Sequence, residues 1–520
     1  MKYSLLLLLS FFTGSLLIAQ PIFQKSLKVA DASGILYRCI PMGDGSYTAA
    51  GVITDNLEFN DNFLIAKINS LGDREWIKSI NSAYSDEFSD LAQTPEGEII
   101  AVGSSLNFDN FLSNGVVMKF DENGTKVWCK SLTIDGSSCN ARKVQIDYSG
   151  NIYVLGTCDV GGSSTDYFIM KMDPSGNIIE QNKIGTSNSD FALSFLRKTN
   201  GELFIGGWGN TGSGESIHLI KLDETLAVVW NSLITGTGKF FAYELKEKSN
   251  GNLVLAGRFD DGVNPYDIMI LEVNNNNGAV VWCKNYHLAD NKACYAYGLT
   301  VNTNDRIAVA GLIEDFNSET VVMETNSTGT INWAKKVNSV GELSGYAYGI
   351  CKTGDLGYLV CGSRMGIDSS IAQLVKINTG GGFSCISTNL NFSTSDQTPV
   401  NESITVTTGV SSIIATDLVL TETELTNLVD ACQPLSVQEP ISATGFSVFP
   451  NPGNGDLSVV FREINSKTQL RVLDLSGKSI YENQEVKELT NAIHLDLEPG
   501  MYILQVIRNG QLQSTKLIIQ

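Results

Sequence analysis

Residues 119–130 read KFDENGTKVWCK, and residues 67–78 read KINSLGDREWIK. In both, a lysine is followed five places on by a glycine and four places later by a tryptophan. The same three residues at the same spacing point to an internal repeat, which has to be traced before any single motif is read.

The repeat runs through most of the chain. A glycine closes an apolar run at Gly51 (YTAAG), Gly103 (IIAVG), Gly156 (IYVLG), Gly207 (LFIGG), Gly257 (LVLAG), Gly311 (IAVAG) and Gly362 (YLVCG), in steps of 52, 53, 51, 50, 54 and 51 residues. The aromatic position keeps the same period as Trp76, Trp128, Glu180, Trp230, Trp282, Trp333 and Cys385. Nine residues earlier stand Lys67, Lys119, Lys171, Lys221 and Lys376, whereas the sixth repeat has Glu324 there and the fifth has Glu272 one place further back.

Each unit reads as four short strands, such as FSDLAQ, EIIAVG, GVVMKF and KVWCKSL. The first turn carries pairs ending in glycine (Glu96-Gly97, Ser149-Gly150, Asn200-Gly201, Asn250-Gly251), which accept the positive φ of a tight hairpin. The second strand is apolar at nearly every position, which predicts burial on both faces. Four-stranded sheets set radially about an axis meet that demand, because each packs on its neighbours. Residues 20–385 are therefore expected to form a seven-bladed β-propeller. Trp76, Trp128, Trp230, Trp282 and Trp333 are expected to pack between blades with their N–H groups bonded to backbone. FQKSL at 23–27 precedes Gly51 by about the distance that WIKSI precedes Gly103, so it reads as a displaced fourth strand completing the last blade.

The bounds agree with a large exported β protein. At 520 residues, 42% hydrophobic and 18% charged, the chain can bury a sizeable core in more than one domain. A net charge of −20 excludes a phosphate-backbone partner, which needs clustered Lys and Arg, so no nucleic acid is expected. Residues 1–19, MKYSLLLLLSFFTGSLLIA, read as a secretory signal peptide, too short and too interrupted at Thr13, Gly14 and Ser15 to span a bilayer. No later stretch approaches eighteen apolar residues, and no integral membrane segment is expected in the mature chain.

Two further segments follow. Residues 386–443 hold no Lys or Arg, seven acids and eighteen Ser or Thr, yet include SITVTT and TDLVL, and read as a β-rich connector. Residues 444–520 alternate apolar and polar positions between Gly, Pro and Asn turns, which predicts a small β-sandwich. This last segment has seven bases and eight acids, a net of −1, so the rest of the chain carries −20 − (−1) = −19. It resembles the type A C-terminal sorting domain of the bacterial type IX secretion system, through FPNP at 449–452, LDLSGK at 473–478, GMYILQV at 500–506 and the terminal KLIIQ. The matching positions include Phe449, Pro450, Asn451, Pro452, Gly477, Lys478, Gly500, Tyr502 and Lys516; Phe449 stands where many members have Tyr. The resemblance implies export through the periplasm, recognition of residues 444–520 by the type IX machinery, and release or attachment at the cell surface.

Ten cysteines in an exported chain suggest disulfides. Matching places in repeats two and five favour Cys129 with Cys139 and Cys283 with Cys294. Cys351 with Cys361 would bridge a hairpin, and Cys385 with Cys432 would pin the connector. Cys39 and Cys158 are left as buried thiols.

No catalytic or cofactor motif appears. His218, His287 and His494 share no spacing, and there is no metal, nucleophile-elbow or Walker signature. FDENGTKVW and VNNNNGAVVW are similar to the docking repeats of quinoprotein dehydrogenases, which use pyrroloquinoline quinone and calcium in eight blades. Here there are seven repeats, Asp121 falls three residues before its glycine, Asn274 replaces the Asp, and no adjacent Cys pair exists, so the likeness is assigned to packing. The acidic loops TDNLEFNDN from Thr54, FDDGVNPYD from Phe259 and IEDFNSE from Ile313 offer oxygen ligands for Ca²⁺ without the spacing of a defined calcium loop. The function expected is a secreted or surface-displayed binding module for an extracellular glycan or protein, with loops on a rigid ring as the recognition surface. The alternative is a hydrolase or lyase acting on an extracellular polymer, with scattered Asp and Glu in the central funnel, marked by two carboxylates facing each other across it at glycosidase separation.

Overall fold

The structure is a computed structural model describing residues 22–519, apart from residues 30, 57–59, 135, 162–163, 211–214, 316–317, 338–343, 366–369, 384–386, 410–412, 431–445, 450–454, 462–467, 475–476, 485, 496, 499 and 509–510. The signal-peptide reading lies outside the described residues, as do Cys385, Cys432, Pro450, Asn451 and Pro452. The chain divides into two compact units, the first ending at Cys432 and the second running from Gln433.

The first unit is the propeller. Blade 1 consists of Ala32–Pro41, Tyr47–Asp55, Asn60–Ile68 and Arg74–Asn81, paired in that order and antiparallel throughout. Six further sheets repeat the pattern. Each innermost strand lies against that of the next blade, and Ser344–Lys352 of blade 7 lies against Ala32–Pro41 of blade 1, which closes the ring. The closing strand is Phe23–Leu27, placed on the outer side of Ser370–Ile377 in blade 7, as its sequence suggested. Phe23 pairs with Lys376 just as Trp76 pairs with Lys67, so the aromatic position of the seventh repeat is filled by Phe23 and not by Cys385.

The recurrent glycine has a steric cause. In every blade the innermost strand bulges immediately after the residue that faces this glycine, as between Leu36 and Arg38 opposite Gly51. The bulge pushes a carbonyl oxygen, Ile35 O in blade 1 and Tyr346 O in blade 7, into the space a Cβ would fill. Any other side chain there would displace backbone.

The Lys–Gly–Trp triplet is explained by the joint between blades. Trp76 lies under the turn of the next blade, where a Cβ on Gly124 (φ +76°) would stand 2.7 Å from the indole, and its Nε1–H donates to Glu122 O at 3.3 Å. Lys67, also buried, reaches Asp44 at 2.9 Å and the same Glu122 carbonyl at 3.5 Å. The ring-on-glycine packing recurs with Trp128 and Gly176, Trp230 and Gly278, Trp282 and Gly329, and Trp333 and Gly381. The expected backbone bond is made also by Trp128, to Pro174 O at 3.4 Å, but the N–H groups of Trp230 and Trp333 are buried without a partner. Trp282 departs in donating to the Glu272 carboxylate at 2.7 Å, the residue that replaces lysine there. Where the third repeat has Glu180 instead of Trp, the facing glycine is replaced by Leu226, which is buried at φ +60° and occupies the vacated space.

The expected connector is largely part of the propeller. Seven short strands between Ser387 and Asp430 each add a fifth, antiparallel strand to the outer edge of one blade, in the order 6, 5, 4, 3, 2, 1, 7. The segment is a belt that encircles the ring against the direction in which the blades were laid down. Its acids meet lysines and arginine on the outer strands: Asp396 with Lys284 at 2.6 Å, Asp417 with Lys130 at 2.6 Å, Glu422 with Lys78 at 3.0 Å and Glu424 with Arg74 at 2.8 Å. Exposed pairs of this kind contribute under about 1 kcal/mol each. Ile413 is buried, and Phe392, Leu418, Leu420, Leu425 and Leu428 pack onto the blade cores.

The cysteine pairings require correction. Cys129 and Cys139 are free, the first on the fourth strand of blade 2 in the core between blades 1 and 2, the second on the innermost strand of blade 3 in the core between blades 2 and 3, so the sheet of blade 2 stands between them. Cys283 and Cys294 are separated in the same way by blade 5. Cys351 and Cys361 are also free thiols and share the seam between blades 7 and 1 with Cys39, whose Sγ donates to Leu359 O at 3.4 Å. Burial pushes the Cys129 and Cys283 thiols up to about 12, so they are chemically quiet.

The second unit is the expected sandwich. A sheet of Phe446–Phe449, Asp456–Phe461 and Thr490–His494 and a sheet of Ser479–Asn483, Gln469–Leu473, Gly500–Arg508 and Gln511–Ile519 share one core, including Val459, Phe461, Val472, Leu504 and Leu517. Gly477 makes the turn at φ +86°, and the Lys478 N–H donates to Asp474 Oδ1 at 3.0 Å.

Two outcomes follow from the joints. Gly124→Ala lowers stability by about 2–4 kcal/mol through its left-handed φ and the collision with Trp76; in a double-mutant cycle with Trp76→Ala the losses are less than additive, whereas full additivity in chemical denaturation would mean the two do not touch. Deleting residues 20–28 removes both the closing strand of blade 7 and the support of Leu428–Asp430, and a lowered melting temperature is expected.

Candidate functional site at the mouth of the funnel

The bulge residue of each innermost strand is set by the same backbone kink: Tyr37, Ser89, Arg142, Leu193, Tyr243, Tyr297 and Tyr348 in blades 1 to 7. Immediately past the bulge come Arg38, Asp90, Lys143, Ser194, Glu244, Gly298 and Gly349. These two levels have different chemistry.

The deeper level is a plug. Arg38 reaches across the ring, with Nε 2.9 Å from Asp90 Oδ1 and Nη1 2.8 Å from Glu244 Oε2. Lys143 and Lys246 approach Glu244 at 3.0 and 2.6 Å, and Asp90 Oδ2 accepts from the Val144 N–H at 3.1 Å. Burial pushes the Glu244 carboxyl up, but the Arg38, Lys143 and Lys246 charges outweigh it and hold it well below the usual carboxylate range. Both carboxylates facing across the funnel are therefore committed to cations. They cannot act as a free acid–base pair.

The mouth lies at the end carrying the loops between the second and third strands, and it is divided in two. Over blades 5, 6, 7 and 1 runs a continuous arc of rings. Tyr243 contacts Tyr297 (centroids 5.0 Å), Tyr297 contacts Tyr348 (5.6 Å), and Tyr348 meets Tyr37 edge-on (5.3 Å). Tyr295 stacks on Tyr297 and Tyr346 on Tyr348, at 6.0 and 6.2 Å. Tyr37, Tyr243, Tyr297, Tyr346 and Tyr348 are each partly exposed. Burial pushes the Tyr348 hydroxyl up to about 12, so this ring is neutral at physiological pH.

Over blades 1 to 3 the lining turns polar. A cavity of about 320 Å³ is bordered by Asp61, Ser85, Glu87, Ser104, Leu106, Ser113 and Asn140. Asp61 accepts from Thr54 Oγ1 at 2.6 Å and Ser85 Oγ at 2.8 Å, while Ser113 Oγ donates to Asn140 at 2.6 Å. Tyr37 joins the two halves, lying within the fields of Glu87, Asp61 and Arg142. Beneath the cavity the buried Asp86 accepts from Ser82 N–H and Oγ at 2.8 and 2.6 Å, and desolvation raises its carboxyl to about 6.

The remaining residues singled out by sequence fall elsewhere. The five tryptophans sit at the blade joints away from this arc. His218 is fully buried beside Tyr167 and Asp190, and His287 pairs with Asp267 at 2.8 Å. In the acidic loops, Asp261 is bonded to its own turn through the Val263 and Asn264 N–H groups. Among the described residues no group of three or more His, Cys, Asp or Glu stands where it could hold a metal ion. The tyrosine arc was missed because its members come from four repeats, with about fifty residues or more between one blade's contribution and the next. The signal available was the recurrence of aromatic residues just before the apolar run, in FFAYEL, CYAYGL and GYAYGI.

Residues 447–520 match the secretion system C-terminal sorting domain family. The chain thus carries the tail of type IX secretion cargo, which marks it for export to the cell surface or extracellular space. No helix of the described residues is long and apolar enough to cross a membrane. No curated protein matches the chain. Solved structures similar to it include a protein of unknown function from Dyadobacter fermentans (10% identity, 68% of this chain and 98% of that one, TM-score 0.39). An ulvan lyase described as a polysaccharide lyase and bound to a GlcA(1-4)Rha3S fragment is also similar (10% identity, 66% and 95%, TM-score 0.40), as is a neuraminidase-like protein of a flat-faced bat influenza A virus from Peru (12%, 56% and 87%, TM-score 0.35). Likenesses this distant say nothing of the chemistry at the funnel mouth.

Asp86 gives a pH signature. Its folded value lies above the value of about 3.9 in an unfolded chain, so its contribution to stability is complete below pH 4 and is lost as pH rises through about 6. Asp86→Asn removes that component: relative to wild type, the variant gains melting temperature at pH 8 and gains none at pH 4. Equal differences at both values would show that Asp86 does not titrate in this window.

Proposed function

We propose that this exported propeller is a glycan-binding protein whose ligand lies across the funnel mouth, on the arc from Tyr243 to Tyr37. The observation that supports the reading is the arc itself: five partly exposed tyrosines drawn from four blades, with Tyr37 in the field of Glu87, which borders a polar cavity together with Asn140 and serine hydroxyls. Sugar rings offer apolar C–H faces for aromatic stacking and hydroxyls for carboxylate and amide acceptors, and the two halves of the mouth supply one kind each. The plug below closes the funnel, so the ligand is held at the rim and is not threaded through.

A protein acting as a polymer-cleaving enzyme through facing carboxylates in the funnel is less well supported, because Asp90 and Glu244 are both held by Arg38. The test is a glycan array probed with the full exported chain, alongside Tyr297→Ala and Tyr348→Ala. Retention of a glycan by wild type, weakened about threefold to tenfold by either substitution, is expected. Shortening of arrayed glycans would replace binding with catalysis, and a blank array would move the reading to a protein partner.

A further inference from the structure

Arg258 stands immediately after the recurrent glycine of blade 5, where the other blades carry Val52, Ser104, Thr157, Trp208, Leu312 and Ser363. It is the one charged residue at that level of the ring. Its guanidinium carbon lies 4.1 Å from the centroid of Phe241, 4.7 Å from Tyr266 and 5.5 Å from Tyr295, so three rings from blades 5 and 6 surround it. Tyr266 and Tyr295 contact each other at 5.4 Å, and Tyr295 stacks on Tyr297, which places this cage at the flank of the tyrosine arc.

The cage leaves the charge unneutralised. Nε of Arg258 is buried without a hydrogen-bond partner, and among the described residues no acid forms an ion pair with it. The nearby carboxylates are engaged elsewhere: Asp260 with Lys239 at 3.4 Å, Asp267 with His287 at 2.8 Å, and Glu314 with the Tyr295 hydroxyl at 2.5 Å. In a chain with 56 acids against 36 bases, an arginine held by rings and left without an ion-pair partner among the described residues is a fixed, planar donor.

We propose that Arg258 is the anchor for an anionic group of the ligand, so that the mouth selects saccharides carrying a carboxylate or sulfate over neutral ones. This rests on the glycan-binding reading above and adds the charge class of the ligand. The aromatic cage fixes the guanidinium plane and leaves its outer N–H groups to form paired, charge-assisted bonds with two oxygens of one anionic group. The acids of the cavity at the other end of the arc, Asp61 and Glu87, stand over blades 1 to 3, and the carboxylates beside Arg258 are each bound to another partner.

The test uses the full exported chain on an array bearing neutral, uronate-containing and sulfated oligosaccharides of matched length, each uronate also present as its methyl ester. Binding confined to the acidic members, lost on esterification and weakened by Arg258→Gln tenfold or more, is the expected result. Arg258→Lys keeps the charge without the planar fork and should fall between. Retention of neutral or esterified glycans as tightly as acidic ones would overturn the role of Arg258 and leave the glycan-binding reading standing. An array with no retained glycan of any class would overturn both. The ester comparison is made on wild-type protein and holds even if a variant fails to fold.

Discussion

One backbone kink, repeated seven times, underlies the molecule. The innermost strand of every blade carries an extra residue at the same level, and the carbonyl displaced by that bulge occupies the place of a side chain on the neighbouring strand. Glycine at 51, 103, 156, 207, 257, 311 and 362 is the condition for it. Because the kink recurs at one height around the axis, it sets seven independent residues in a ring, with seven more just below. The repeat could fill the upper ring with tyrosines on one side and the lower ring with Arg38, Asp90, Lys143 and Glu244 without altering the scaffold. Scaffold and site are thus specified by different residues of the same strand.

What was legible in the sequence follows from this separation. Contacts that every blade makes with the next leave a periodic mark, so the number of blades, their strand order, the Trp–Gly joints and the closing role of Phe23–Leu27 could be read from spacing alone. The exchange of Trp and Gly for Glu180 and Leu226 in one joint was written in the same places, but only the packing explains it. Contacts made once leave no period. The arc needs residues from four repeats to be brought together, and the pairing of Arg38 with Glu244 spans 206 positions. The cysteines misled for a related reason: Cys129 and Cys139 are close in sequence, yet the chain passes from one blade to the next between them, and the sheet of blade 2 is a wall between the two cores they enter.

The belt between Ser387 and Asp430 was read as a connector because its strands are three to six residues long and mostly exposed on one side. Such strands cannot form a core of their own, and their backbone bonds are directed by edges that already exist. Its composition makes sense only against the ring it covers. Six acids and no bases lie along outer strands that present Lys78, Lys130, Lys284 and Arg74, so the charge separation seen between segments of the sequence is a complementarity within one unit. The belt also leaves no blade with its outermost four-stranded edge free, which suits a protein whose working environment lies outside the cell.

The path of that belt also has a mechanical meaning. Its last strand, Leu428–Asp430, is zipped onto Phe23–Leu27, so the first and final strands of the propeller unit share a sheet. A load applied from the C-terminal side of residue 430 is borne first by three paired residues on blade 7, then by those on blade 1, and so on backwards around the circumference to blade 6. The ring is thereby provided with a graded tether that yields in short steps, its resistance at each step set by the strand then being peeled.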